Sequence, residues 1–145
     1  MRATGFTHVS IGARDLEESV RFYEDFFGME EVPAPDFTGH VRWPRVGDLK
    51  LHPFQDEGSA PVGHHFALGV DDFGAAFRKT RETGARVEDG NYSTVRELPD
   101  GAVQMYLRDP AGNLVEVNWR NANTLDRGLI GEIQKIGGPR VPRCA

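Results

Sequence analysis

The stretch HHFALGVDDFGAAFRKTRETGARV, from His64 to Val87, repeats the pattern of an earlier stretch, HVSIGARDLEESVRFYEDFFGMEEV, which begins at His8. At an offset of 57 residues the following positions coincide: His65 with His8, Gly69 with Gly12, Asp72 with Asp15, and Arg78 with Arg21. Each copy has a short apolar strand that starts with histidine, then a turn and an amphipathic helix that ends at glycine. The shared order of elements predicts an internal duplication.

Capping residues mark the helix of each copy. Asp15 is a good N-cap, and Glu18 follows three residues later in a pattern that resembles a capping box. Gly28 is a natural terminator because glycine adopts the left-handed conformation at low cost. In the second copy, Asp71 or Asp72 caps a helix that is predicted to run to about Thr83.

Short apolar runs before and after each helix predict the strands of the fold. The predicted strands are Phe6–Gly12, 29–32, 40–46, Leu49–Phe54, His65–Val70, 85–88, Val103–Arg108 and Leu114–Trp119. Pro44 suggests that its strand is an edge or contains a bulge. The sequence therefore predicts a single α+β domain of two paired βαβββ modules, about 5–56 and about 63–119, that form a cleft. The appendage, 120–145, is predicted to contain a short helix toward Ile136 and a mobile end.

Composition excludes several classes of protein. The formal net charge of −5 gives no general attraction to nucleic acid or to an anionic membrane. No apolar run reaches the roughly 18 residues that are needed to span a bilayer. Cys144 is the only cysteine, so no disulfide can form within the chain, and a reducing cytoplasm is expected.

Strand alternation predicts which polar side chains face the cleft. If the apolar positions of each strand pack against the helices, the opposite faces carry His8, Ser10, Lys50, His52, His65 and Glu116. Imidazole and carboxylate together suit a divalent ion of Mn, Fe, Co, Ni or Zn, and two histidines with one carboxylate leave positions open for substrate. The alternative is that each histidine is a hydrogen-bonded structural residue. His40 and His64 are expected to be structural or exposed.

The motifs HVSIGARDLEESVRFYEDFFGM, HFALGVDD and RDPAGNLVEV resemble the vicinal oxygen chelate superfamily over residues 5–119. That superfamily includes glyoxalase I, extradiol dioxygenases, fosfomycin-modifying thiol transferases and bleomycin-binding proteins. The resemblance implies one divalent metal ion held by His8, His65 and Glu116. Strand alternation places His52 near enough to be a fourth ligand or a base. The resemblance implies lyase, isomerase or dioxygenase chemistry on a small oxygenated substrate. Ser10 and Tyr106 match hydroxyl residues of the thiol transferases, whose activity is the less favoured alternative.

Other polar residues are predicted to bind substrate. These are Arg42, Trp43, Arg96, Gln104 and Arg108. Trp43 suggests a ligand with a flat or apolar part, and the arginines suggest a carboxylate or phosphate unless they are solvated surface charges. A homodimer with two-fold symmetry is expected, because small chains of this type must cover their sheet edges. The competing function is a binding protein that sequesters a drug or metabolite in the same cleft.

Overall fold

The computed structural model describes residues 1–88 and 90–138, and in it both copies of the repeat fold as predicted into α+β structure. The chain divides into two compact units, the first made of residues 1–66 and 108–114 and the second of the remainder. Across the described ranges, no helix is long and apolar enough to cross a membrane. Cys144 lies outside the described residues.

The first unit contains a four-stranded sheet and one long helix. In chain order its elements are β1 (His8–Ala13), α1 (Leu16–Phe27), β2 (Glu30–Val32), β3 (Trp43–Val46) and β4 (Leu49–Gln55). The strand order across the sheet is β1-β4-β3-β2. β1 runs parallel to β4, and the other neighbours are antiparallel.

The second copy produces a sheet with the same strand order and one additional strand. Its elements are β5 (His65–Gly69), α2 (Phe73–Thr83), β6 (Arg96–Glu97), β7 (Val103–Arg108), β8 (Leu114–Trp119), α3 (Arg127–Ile130) and β9 (Gln134–Lys135). The order is β5-β8-β7-β6-β9, so that its first four strands follow the order of the first sheet. This equivalence supports the predicted duplication.

The predicted capping residues are found at the ends of both long helices. The Asp15 carboxylate accepts a hydrogen bond of 2.9 Å from the Glu18 amide, and α1 ends at Gly28 in the left-handed conformation with φ of 65°. In the second copy Asp72, and not Asp71, is the N-cap, because its carboxylate accepts from the Ala75 amide at 2.8 Å. These bonds satisfy amide groups that a helix start leaves unpaired.

Burial alternates along β1 and β5 as predicted. Ile11 and Ala13 are buried in the core of the first unit, whereas His8 and Ser10 are exposed. In β5, Leu68 is buried and His65 is exposed. The histidine that starts each strand therefore lies on the face opposite the apolar core.

Some predicted strands are wrong in extent or position. β1 begins at His8, and the Phe6 side chain is 91% exposed. The segment 85–88 forms one isolated bridge, Arg86 to Leu107, in place of a strand. Pro44 does not mark an edge, because β3 lies between β4 and β2. Its ring is fully buried, which offsets the ladder hydrogen bond that proline cannot donate.

The C-terminal segment, as far as it is described to residue 138, belongs to the second unit. Its helix α3 is shorter than predicted, and Ile130 is buried. β9 pairs with β6 in parallel, and Gln134 N donates to Val95 O at 3.0 Å. The segment thereby covers the outer edge of β6. Residues 139–145, for which a mobile end is predicted, lie outside the described residues.

The turn between β7 and β8 is built around a buried carboxylate in the first unit. Asp109 Oδ2 accepts from Tyr23 Oη and from Asn113 Nδ2, both at 2.8 Å. Asp109 Oδ1 accepts from the Ala111 and Asn113 amides, and Asn113 Nδ2 also donates to Gly12 O at 2.8 Å. Burial raises the pKa of Asp109, and the hydrogen bonds from Asn113 and Tyr23 partly oppose that rise. The motif DPAGN therefore connects α1, β1 and the turn.

Candidate functional site

Three flat side chains form a stack on the sheet of the first unit. The ring centroids of His8 and His52 are 4.3 Å apart with planes inclined by 12°. His52 also stacks on Trp43, at 4.6 Å and 7°. Lys50 adds a cation, because its Nζ lies 4.7 Å from the centroid of the Trp43 ring. We refer to His8, His52 and Trp43 as the His–Trp stack.

Strand register explains why these residues meet. β1 and β4 pair in parallel, which places His8 beside Lys50 and Ser10 beside His52. Trp43 is on β3, the other neighbour of β4. Alternation sends their side chains to the face opposite the buried Leu51. The sheet thus collects predicted site residues from three strands.

The stacked geometry bears on the role of His52. A metal ion lies close to the plane of an imidazole that binds it, at about 2.1 Å from the nitrogen. The rings of His8 and His52 are nearly parallel and stacked, with centroids 4.3 Å apart, so their in-plane lone pairs do not converge on one ion. In this arrangement His52 is better suited to act as a base beside His8 than to share an ion with it.

Electrostatics keep His52 neutral. Burial lowers the pKa of His52, and the charges of His8 and Lys50 lower it further. A neutral imidazole can accept a proton, which suits the predicted base. Among residues 1–88 and 90–138, the buried atoms His52 Nε2 and Trp43 Nε1 find no hydrogen-bond partner. The stack is therefore held by ring contacts and burial more than by hydrogen bonds.

His65 has a defined tautomer. Its Nδ1 lies 2.9 Å from the carbonyl oxygen of Gly63, and a carbonyl can only accept, so Nδ1 carries the proton. The lone pair of the neutral ring is then on Nε2. His8 Nδ1 has a comparable contact, 3.1 Å from Thr7 Oγ1, in which the donor depends on the tautomer.

A cavity of about 350 Å³ adjoins His65 within the first unit. Its lining includes Ser10, Phe54, Asp56, His64, His65 and Asn113. Ser10, a predicted site residue, thus lines a cavity, and its role there stays a prediction. His64 is exposed as expected but lines the same cavity as His65, since the strand begins only at His65 and alternation does not govern the residue before it.

Glu116 and Tyr106 form a buried pair in the second unit. Tyr106 Oη donates to Glu116 Oε2 at 2.6 Å, and Gln104 Nε2 donates to Tyr106 Oη at 2.8 Å. Burial, with the Glu116 hydrogen bond and charge, raises the pKa of Tyr106. Tyr106 therefore stays protonated at neutral pH and orients the Glu116 carboxylate. Tyr92 packs edge-on against Tyr106 at 4.9 Å and was not predicted as a site residue.

Within the described ranges, no three His, Cys, Asp or Glu side chains come close enough together to hold a metal ion. His8 and His65 belong to the first unit and Glu116 to the second. The ligand set His8, His65 and Glu116 accordingly stays a prediction.

The three predicted arginines are engaged in structural contacts. Arg42 donates to Glu31 through Nε and Nη2 and to Glu17 through Nη1 at 2.8 Å. Arg96 donates to Asn91 O at 2.5 Å. Arg108 donates to Gly112 O at 2.8 Å and to Val62 O at 3.3 Å. Each of the three guanidinium groups is therefore bound to oxygens of the protein itself, and their role in substrate binding stays a prediction.

The pairing of Arg42 predicts a pH-dependent loss of stability. Hydrogen bonds and charge from Arg42 lower the pKa of Glu17 and of Glu31 below the ordinary value of 4.5. A lowered folded-state pKa stabilises the fold above that ordinary value, and the contribution is lost as pH falls through the folded-state pKa. Arg42→Met should therefore lower the melting temperature modestly at pH 7 and by less at pH 3. Calorimetry of both proteins across this range checks the result, and an equal difference at both pH values would contradict it.

Strand alternation places Lys50 on the same face of the sheet as the predicted site residues. The sequence predicts no functional role for Lys50 itself. Its signal in the sequence is a position two residues before His52 in the same strand. The structure adds its contact with Trp43 and its register opposite His8. The contact across strands could not be obtained from the sequence.

Comparison with known proteins identifies the class that this fold and these residues define. The model of the Glyoxalase/Bleomycin resistance protein/Dioxygenase superfamily matches residues 5–117. The chain belongs to this superfamily, which confirms the resemblance inferred from its motifs.

The individual proteins that resemble this chain are only distantly related to it in sequence. The chain is 29% identical over 119 residues to the uncharacterized protein YwbC of Bacillus subtilis strain 168, which covers 75% of this chain and 92% of that protein. Lactoylglutathione lyase from Agrobacterium tumefaciens is 25% identical with a TM-score of 0.60, over 81% of this chain and 95% of the lyase. The oxidase ChaP-H2 is 26% identical with a TM-score of 0.65, over 82% of this chain and 95% of the oxidase. Similar folds thus carry lyase and oxidase activities.

Proposed function

We propose that this protein is a metal-dependent enzyme acting on a small oxygenated organic molecule. One divalent ion of Fe, Mn, Ni, Co or Zn would be held by His8, His65 and Glu116. Such an ion, when bound, accepts two neighbouring substrate oxygens and stabilises negative charge that develops on them. Membership of the superfamily supports this class of chemistry.

The single observation that carries the proposal is the hydrogen bond from His65 to Gly63. Histidines that bind metals generally donate their other ring N–H to a carbonyl or carboxylate, which fixes the tautomer and the ring orientation. His65 Nδ1 makes such a bond at 2.9 Å with Gly63 O. The same bond places the lone pair on Nε2, as a metal ligand requires.

The remaining residues have distinct proposed roles. Tyr106 orients the Glu116 carboxylate through their 2.6 Å hydrogen bond, and Gln104 holds Tyr106. His52, kept neutral by burial, is the proposed proton acceptor. Trp43 offers an apolar surface beside His52, and Ser10 supplies a hydroxyl group to the cavity.

Lyase or isomerase chemistry and dioxygenase chemistry both agree with these roles. The similar Agrobacterium protein is a lyase and ChaP-H2 is an oxidase, so likeness alone does not choose between them. A neutral base beside a metal ligand favours a reaction that begins by proton abstraction. We therefore place lyase or isomerase chemistry first and extradiol-type dioxygenase chemistry second.

Metal analysis followed by a substrate screen tests the proposal. Protein purified without added metal should contain about one divalent ion per chain, or should take up one on addition of Co²⁺ or Ni²⁺. The loaded protein should then convert a member of a panel of hemithioacetals, epoxides and catechols. Failure to bind any divalent ion by calorimetry would exclude this function.

A ligand-sequestering protein is the second candidate. It is favoured by the cavity of about 350 Å³ beside His65, a volume within the range of small-molecule pockets. Such a protein would use the cavity beside His65 and the flat face of Trp43 to hold a drug or metabolite. Tight ligand binding by metal-free protein, with no turnover, would establish it.

We also propose that the chain is a homodimer and works in the cytoplasm. β1 and β5 are edge strands of their sheets, and such edges are generally paired or covered. Pro44 does not contribute to this argument, since it lies inside a sheet. Light scattering at micromolar concentration should give twice the chain mass of 16.1 kDa, and a monomer mass would refute the dimer. A reducing compartment agrees with a chain that contains a single cysteine.

A further inference from the structure

We infer that Lys50 makes this site select a small organic ligand that carries a carboxylate or phosphoryl group beside a flat or apolar part. The inference deepens the proposed function and rests on it, because it concerns the ligand of the same site. It assigns a specificity role to Lys50 and not to the three arginines for which such a role was predicted.

The first argument is an inventory of cations on the sheet of the first unit. Arg42, the residue directly before β3, is paired with Glu17 and Glu31. Arg45 is paired with Glu30 at 3.1 Å. Within the described chain, no carboxylate lies at ion-pair distance from Lys50 Nζ. Because the net charge is −5, acidic residues are not scarce, and Lys50 is a cation that this sheet leaves without a counterion.

The second argument is where Lys50 lies. It is half-buried, its Nζ is over the Trp43 ring, and its Cα is the register partner of His8. The ammonium is therefore held beside the His–Trp stack and does not extend freely into solvent. A half-buried cation without a counterion favours the binding of an anionic ligand that also has an apolar part.

The third argument concerns charge balance with a metal. A divalent ion at His8 would be repelled by the Lys50 ammonium across the strand pair. An anionic ligand near both positive charges offsets this repulsion. Binding of the metal and of the anion should therefore be coupled, and the coupling must be reciprocal. A neutral ligand would leave the repulsion in place.

Mandelate and mandelamide form a suitable pair of probes. Both carry a phenyl ring and two vicinal oxygens, but only mandelate is anionic. Their affinities would be measured by calorimetry for wild type, Lys50→Met, Lys50→Arg and Arg45→Met, with and without Co²⁺. Arg45→Met is the matched control. Arg45 is the register partner of Lys50 and carries the same charge, but its charge is already paired with Glu30.

Wild type should prefer mandelate over mandelamide, and Lys50→Met should reduce this preference by about tenfold or more, since a charge-assisted hydrogen bond is lost. Lys50→Met should also bind Co²⁺ alone a few-fold more tightly, because the repulsion is removed. The opposite signs of these two effects separate a charge effect from general damage to the site. Arg45→Met and Lys50→Arg should retain the preference, and melting temperatures would verify that each variant is folded.

Two results would overturn the inference. One is that wild type does not bind mandelate more tightly than mandelamide. The other is that Lys50→Met keeps the full preference, in which case any selectivity comes from the metal or another residue. Failure of the proposed function is a different outcome, in which wild type binds no divalent ion. The preference of metal-free protein for mandelate would then still decide whether Lys50 selects anions.

Discussion

Asp109→Ala is expected to lower the free energy of unfolding by about 3 to 5 kcal/mol, because it leaves buried donors without acceptors. Tyr23 Oη is completely buried and donates to Asp109, as do the Asn113 amide groups. Each unpaired buried donor costs about 1 to 3 kcal/mol. Urea denaturation of wild type and variant provides the measurement.

Two further variants show whether the loss comes from the network. Tyr23→Phe removes one hydrogen bond while keeping the ring, so it should cost less than Asp109→Ala, about 1 to 2 kcal/mol. Asp71→Ala removes an exposed carboxylate outside the network and should change stability by less than about 0.5 kcal/mol. If Asp109→Ala were as mild as Asp71→Ala, the buried carboxylate would not hold this turn.

Glu116→Gln is expected to reduce the affinity for a divalent ion by about a hundredfold or more while leaving the fold intact. The substitution keeps the shape of the side chain and an oxygen that can accept from Tyr106, but it removes the negative charge. Loss of residues that merely orient a ligand costs about 10- to 100-fold in metal affinity, so loss of a ligand's charge should cost at least as much. Calorimetric titration with Co²⁺ measures the affinity.

Histidine variants complete this experiment. His65→Ala should reduce metal binding in the same way, whereas His40→Ala, at an exposed position remote from the predicted ligands in sequence, should not. Tyr106→Phe should have an intermediate effect, because it frees the Glu116 carboxylate without removing it. If Glu116→Gln and His65→Ala both keep wild-type metal content, the proposed ligand set is wrong and the sequestering protein takes its place.

Local signals in the sequence predicted the repeat, the helix ends and the strand faces. Asp15 and Gly28 act through neighbouring backbone groups, so their roles depend on residues only a few positions away. Alternation along β1 and β5 also depends on adjacent residues, and it placed His8 and His65 on the predicted faces. The α+β fold follows from these local patterns together.

Features that depend on partners distant in sequence were not predicted. The ion pairs of Arg42 with Glu17 and Glu31 depend on the packing of α1 and β2, which the sequence does not provide. The strand predicted at 85–88 lacks a continuous partner and forms one bridge to Leu107. Stacking of His52 on Trp43 likewise requires the register of two strands, which a hydrophobic pattern does not provide.

The buried turn also constrains how the chain folds as it is synthesised. Tyr23 and Asp109 are 86 residues apart, and Asn113 bonds to Gly12 across 101 residues. A ribosome therefore completes α1 and all four strands of the first sheet well before the residues that secure them exist. The first half therefore lacks these hydrogen bonds until residue 113 has been translated. Cutting the gene between the two predicted modules, after about residue 56, would separate the first sheet from residues 108–114. Such a fragment should be unstable, although the repeat suggests a natural division there.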